Sequence, residues 1–136
     1  MSLFKFGSFV AASGKTLNWK IECDSLTNED WDCLASIGAS LVQPFYKVLG
    51  VPRGGLRFAE ALRKYENPKG TSFLLVDDVL TTGGSVERSM AQQNLVRLFP
   101  DEILVVFDRS RGVVPFPYRS IFKVNDTVTG CLRSDP

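Results

Sequence analysis

Apolar and polar positions along the 136 residues alternate between strand-like and helix-like stretches. From Leu3 to Cys23, short apolar or alternating runs (Phe4/Phe6, Phe9-Val10-Ala11, Leu17/Trp19/Ile21) are broken by turn residues at Gly7-Ser8 and Ser13-Gly14. That pattern predicts small strands in a separate hood over residues 1–25. Thr27 followed by Glu29 and Asp30 is a helix start, a hydroxyl cap with acids in the first turn. Trp31, Leu34, Ala35, Leu41 and Val42 continue at helical spacing until Pro44. Phe45 to Val51 is an apolar run closed by Pro52-Arg53-Gly54-Gly55, which predicts a buried strand entering a glycine turn. Phe58, Ala61, Leu62 and Tyr65 share one face of a helix over 56–65, and Asn67-Pro68-Lys69-Gly70 breaks it. Ser72–Val76 is a second buried strand, 86–99 a helix with a weaker stripe, 103–107 a third strand and 120–124 a fourth. Strands alternating with helices predict an α/β fold: a mainly parallel sheet with right-handed crossovers, flanked by helices, as a core over 26–136 joined to the hood in one domain.

Composition narrows the chemistry. Sixteen basic and 15 acidic residues give a net charge of +1, so no basic surface points to nucleic acid. No apolar run nears the roughly 20 residues of a membrane span, and the N-terminal residues do not read as a signal peptide. The chain has no histidine, which removes imidazole bases and, with only Cys23, Cys33 and Cys131, the usual zinc clusters. Reduced cysteines and a cytoplasmic location are expected. Chemistry must come from carboxylates, cations, hydroxyls, backbone amides or the substrate.

The informative stretch is Phe73-Leu74-Leu75-Val76-Asp77-Asp78-Val79-Leu80-Thr81-Thr82-Gly83-Gly84-Ser85. A buried strand delivers two carboxylates to a sheet edge, where ligands of parallel sheets bind. Such carboxylates accept hydrogen bonds from vicinal hydroxyls, as on a ribose. The hydroxyl- and glycine-rich turn beyond them opens a helix whose free N–H groups suit a phosphate. The plain alternative is a strand end with an ordinary capped helix. A GxxxxGK[ST] loop is absent, Val79 stands where a dehalogenase-type loop has its second Asp, and no late lysine supports a receiver domain.

These thirteen residues resemble the phosphoribosyl-pyrophosphate (PRPP) motif of type I phosphoribosyltransferases. Gly50-Val51-Pro52-Arg53-Gly54-Gly55 resembles that family's pyrophosphate loop, with Val51-Pro52 a candidate cis bond whose state sequence leaves open. Phe107-Asp108-Arg109-Ser110-Arg111-Gly112 resembles a segment of the orotate branch, and the N-terminal residues through Lys15 resemble its hood. The resemblance implies transfer of a phosphoribosyl group from PRPP to a nucleobase, with orotate expected, and release of pyrophosphate. It implies that Asp77 and Asp78 act at the ribose of PRPP, that Thr81, Thr82, Gly83, Gly84 and Ser85 wrap its 5′-phosphate, and that Pro52, Arg53, Gly54 and Gly55 face the pyrophosphate. Arg109, Trp19 and Lys15 would meet the base. Mg²⁺ would ride mainly on PRPP, with no metal site of the protein's own, and the chain would form a homodimer.

Two departures stand out. About six residues separate Tyr65 from Ser72, where the family carries a further strand and a mobile basic loop; only Lys64 and Lys69 lie nearby. Ala12 stands where the orotate branch often has lysine. The shortened turn supports an alternative, a non-catalytic regulator that binds PRPP or a nucleotide. For Trp31 and Phe58 core packing is expected, for Phe116 and Tyr118 loop packing, and for Trp19 either hood packing or stacking on the base.

Overall fold

The computed structural model describes residues 2–10 and 16–124. The hood is a hairpin of β1 (Phe4–Val10) and β2 (Thr16–Ile21). Gly7-Ser8 is not a turn: β1 runs through it, with a register slip between Phe6 and Phe9 that absorbs the irregularity. A short 3-10 turn, Cys23–Ser25, leads to α1 (Asn28–Leu41). Thr27 caps α1 as expected: its hydroxyl accepts from Asp30 N at 3.1 Å, and the Asp30 carboxylate accepts from Thr27 N at 2.9 Å.

The core sheet contains β3 (Phe45–Gly50), β4 (Ser72–Leu80), β5 (Glu102–Asp108) and β6 (Arg119–Lys123), all parallel and in that order. α2 (Leu56–Leu62), extended by a 3-10 turn to Tyr65, links β3 to β4; α3 (Gly84–Leu95) links β4 to β5. Period-two alternation sorts the two faces. Leu74, Val76, Leu104 and Val106 pack with α1 and α2, while Leu75, Ile103 and Val105 pack with Val86 of α3.

Four boundaries and faces differ from expectation. Gly38, rather than Leu41, completes the buried face of α1; a Cβ at Gly38 would meet Leu104 at 2.9 Å, and Leu41 is exposed. Ala59 replaces Ala61 on the buried face of α2, and Tyr65 reaches solvent because the last turn tightens to 3-10. α3 stops at Leu95 because Arg97 turns left-handed (φ 57°), leaving Phe99 exposed. Finally β4 runs on to Leu80, so the acidic pair lies within the strand.

The crossovers β3–α2–β4 and β4–α3–β5 step the same way along the sheet yet lie on opposite faces, so they are of opposite hand. The expectation of right-handed crossovers therefore fails for one of them. The physical reason lies in α2, whose Phe58 and Leu62 are buried against α1, with the Phe58 and Trp31 rings 6.1 Å apart. Burying that apolar face outweighs the twist preference. Phe58→Ala is expected to cost about 3–5 kcal/mol, against about 1 kcal/mol for the cap change Thr27→Ala. Urea denaturation of both variants checks the ranking.

Candidate active site

Two loops meet where β3 and β4 end. The first, 51–55, is fastened by Val51 N donating to Val76 O (2.8 Å) and Gly55 N donating to Val51 O (2.8 Å). The cis bond falls between Pro52 and Arg53, one peptide beyond the expected candidate. Arg53 is exposed at the tip, and among the described residues nothing pairs with it. Gly54 is demanded by crowding: a Cβ there would come 2.5 Å from both carboxylate oxygens of Asp78.

The second loop follows β4. Asp77 lines a pocket with Thr81, Thr82, Gly83, Gly84, Ser85 and Arg88. Gly83 caps α3 with φ +90°, a conformation that favours glycine and turns the first N–H groups of the helix towards that pocket. Asp77 and Asp78 serve different loops while their carboxyl groups stay within hydrogen-bonding reach of each other: the first lines the phosphate-type pocket, the second lies over Gly54 of the other loop. Each carboxylate also accepts from the next backbone N–H, Asp77 from Asp78 N (2.8 Å) and Asp78 from Val79 N (2.7 Å). The alternation of faces slips here, for Val79 packs with Leu74 and Val76 while Leu80 packs with Leu75.

Burial, and then the neighbouring charge of Asp78, push Asp77 up to about 8. Cys23, at the foot of the hood, has its thiol pushed far up by burial first and then by Asp78, Glu22 and Asp24. It is an inert, protonated neighbour of the acidic pair.

Arg109 and Trp19, both expected at the base, are brought together and both buried, at 5% and 7% exposed. The guanidinium lies 3.5 Å from the indole centroid and donates from Nη1 to Trp19 O at 2.8 Å. The other indole contact is Phe4, at 5.9 Å between centroids. Trp19 thus packs hood onto core through Arg109. Lys15, with Ser13 and Gly14, lies outside the described residues.

Arg88 escaped the sequence reading. Its Nη2 donates to Ser85 Oγ at 3.2 Å, and its Nη1 comes within 3.5 Å of a Cβ built on Gly84. The signal was available: a cation three residues after Ser85 on a helix faces back over the same turn.

Asp77 sets a stability trend. Its ordinary value is 3.8, so between about pH 4 and 8 the folded chain holds a proton that the unfolded chain has lost. Stability then falls as pH rises through that window. Asp77→Asn is expected to flatten the fall and to exceed the parent in stability at pH 8. Thermal midpoints from pH 5 to 8 check this, and a flat parent curve contradicts it.

No protein-family model matches the chain. It is 26% identical to orotate phosphoribosyltransferase of Sulfolobus acidocaldarius, over 98% of this chain and 84% of that protein. That alignment runs over 166 positions, so at least 30 of them find no residue in this chain of 136. Among solved structures, orotate phosphoribosyltransferase from Aeropyrum pernix superposes with a TM-score of 0.70 at 21% identity, covering 96% of this chain and 93% of that one. UMP synthase of Leishmania donovani gives 0.76 at 18% identity, with 96% of this chain spanning 35% of that longer one. In fold the chain is similar to type I phosphoribosyltransferases, and the sequence relatives it matches are orotate phosphoribosyltransferases.

Proposed function

We propose that the protein transfers the phosphoribosyl group of PRPP to orotate, releasing pyrophosphate. The observation that carries the reading is the placement of the acidic pair between two loops: Asp77 lines the Thr81–Ser85 pocket while Asp78 lies over Gly54 of the 51–55 loop. One strand end thereby joins a place for a 5′-phosphate to a place for pyrophosphate, with the ribose between them. In the reaction the C1–O bond to pyrophosphate breaks, its electrons leave with pyrophosphate, and a ring nitrogen of the base bonds C1 while its proton passes to solvent.

Catalysis on this scheme is positioning plus charge stabilisation. Thr81, Thr82, Gly83, Gly84 and Ser85 hold the 5′-phosphate with Arg88, while Asp77 and Asp78 accept from the ribose hydroxyls. Pro52, Arg53, Gly54 and Gly55 hold the pyrophosphate. Arg109, seated on Trp19, walls the base site, where the family resemblance also puts Lys15. The described residues contain no cluster of three or more His, Cys, Asp or Glu fit for a metal ion. That donor set suits Mg²⁺ arriving on PRPP with its water shell, where it offsets pyrophosphate charge. The reading takes residues 1–136 as one catalytic domain that pairs as a homodimer in the cytoplasm. No described helix is long and apolar enough to cross a membrane. A regulator that binds PRPP without turnover is not favoured, since the relatives are transferases by name.

Pyrophosphate release from PRPP and Mg²⁺ tests the reading, offered with orotate, uracil, adenine, hypoxanthine and guanine in turn. The double variant Asp77→Ala/Asp78→Ala serves as the blank. Release with orotate alone is expected; release with another base reassigns the acceptor, and none from folded protein favours the regulator. Arg88→Gln is expected to raise the KM for PRPP about tenfold, the value of a hydrogen bond to a charged group. Initial rates against PRPP concentration measure it.

A further inference from the structure

The segment between β5 and β6 is closed at its neck by a polar cluster around the buried Asp108, with no part in the scheme above. Asp108, only 2% exposed, accepts from Tyr118 Oη at 2.6 Å and from Ser110 N at 2.9 Å. Ser110 Oγ lies 3.3 Å from Tyr118 Oη, and Lys123 Nζ 3.9 Å from the carboxylate. Burial alone would raise Asp108, but Ser110, Tyr118 and Lys123 outweigh it and hold the carboxyl below its ordinary value. Tyr118 is pushed up, by burial and then by that same bond.

Each end of the closed segment touches a different part of the candidate site. Arg109 follows Asp108 directly, and its N–H donates to Leu80 O at 2.8 Å, immediately before Thr81. At the other end Phe116 packs edge-on against Tyr118, with ring centroids 6.1 Å apart. The Phe116 ring also backs the phosphate loop, since a Cβ on Gly83 would come within 2.9 Å of it. Phe116 and Tyr118 both pack on the α3 face of the sheet, with Leu75 and Val86.

We propose that Tyr118 is a positioning residue: through its bond to Asp108 it holds Arg109 and, through Phe116, the left-handed Gly83 turn as one strut beneath both ends of the site. The strut gains its functional meaning from the proposed transferase reading, but its geometry can be tested apart from it.

Amide NMR of the unliganded chain gives the independent test, using Tyr118→Phe and Phe116→Leu. Tyr118→Phe keeps the ring and loses one hydroxyl. It is expected to shift the amide signals of Arg109, Gly83 and Gly84 together, whereas Phe116→Leu shifts Gly83 and Gly84 and leaves Arg109 in place. In turnover, Tyr118→Phe should raise the KM for PRPP and for the base about tenfold each, the loss of a bond to a charged acceptor, with kcat changed less. Amide signals of Gly83 and Arg109 that stay put in Tyr118→Phe overturn the proposal. So do unchanged KM values beside a lowered Tm, the signature of a merely structural tyrosine. If the parent chain shows no turnover, the transferase reading falls and the amide pattern alone decides the strut.

Discussion

Two adjacent carboxylates are set into a central, largely buried strand of the sheet, and much of the molecule is organised around making that tolerable. β4 is buried from Ser72 to Asp77, so Asp77 stands where a charge is costly. The chain answers in two ways. It turns the two side chains to different loops, and it supplies each with the next backbone N–H, at 2.8 and 2.7 Å. The first response builds the site: had both carboxylates faced one loop, the other loop would have lost its tie to the strand. The second pulls Asp77 down, but burial, and then the charge of Asp78, outweigh it and leave the group at about 8. A ligand rich in hydroxyls and carrying a cation relieves both costs, which is the physical sense in which the unliganded chain is prepared for a sugar phosphate.

Much of this was legible in residue order. The Thr27 cap, the strand ending in two acids and the Thr81–Ser85 turn depend on neighbours within a few positions, where local rules are strong. The assignment of Asp77 and Asp78 to different loops was legible too, because successive strand side chains alternate in direction. What escaped depends on distance through space. Trp19 and Arg109 are 90 residues apart, so nothing local reveals that the arginine stacks on the indole. Leu41 and Tyr65 matched helical stripes, but whether a stripe position is covered depends on where the neighbouring element ends. The stop of α3 at Leu95 rests on a non-glycine residue, Arg97, turning left-handed, for which sequence offers no marker.

The crossovers carry the same lesson at the level of topology. Two crossovers that step one way on opposite faces cannot both be right-handed. A strand added outside β3 would resolve this, because α2 would then lead outwards to it and a return path would lead back to β4. The family resemblance places a strand and a basic loop in that interval, and the Sulfolobus relative has at least 30 positions with no counterpart in this chain. The anomaly of hand is thus what remains when the outer strand is removed and α2 keeps its packing on α1.

Removing that strand exposes the outer edge of β3, and the short turn that replaces it is spent on covering the edge. Asn67 N donates to Phe45 O at 2.9 Å, and the Glu66 carboxylate accepts from Val48 N at 2.8 Å, so backbone groups that would invite another strand are satisfied within the chain. The basic side chains of the preceding turn are held away from the site: Arg63 pairs with Glu60 at 2.9 Å and Lys64 with Asp32 of α1 at 3.4 Å. A segment bonded to a sheet edge cannot also swing over a ligand. On the proposed reading, charge at the pyrophosphate end falls to Arg53, whose side chain is exposed at the tip of its loop. On that reading, the missing outer strand and the reliance on one arginine are two consequences of a single shortening.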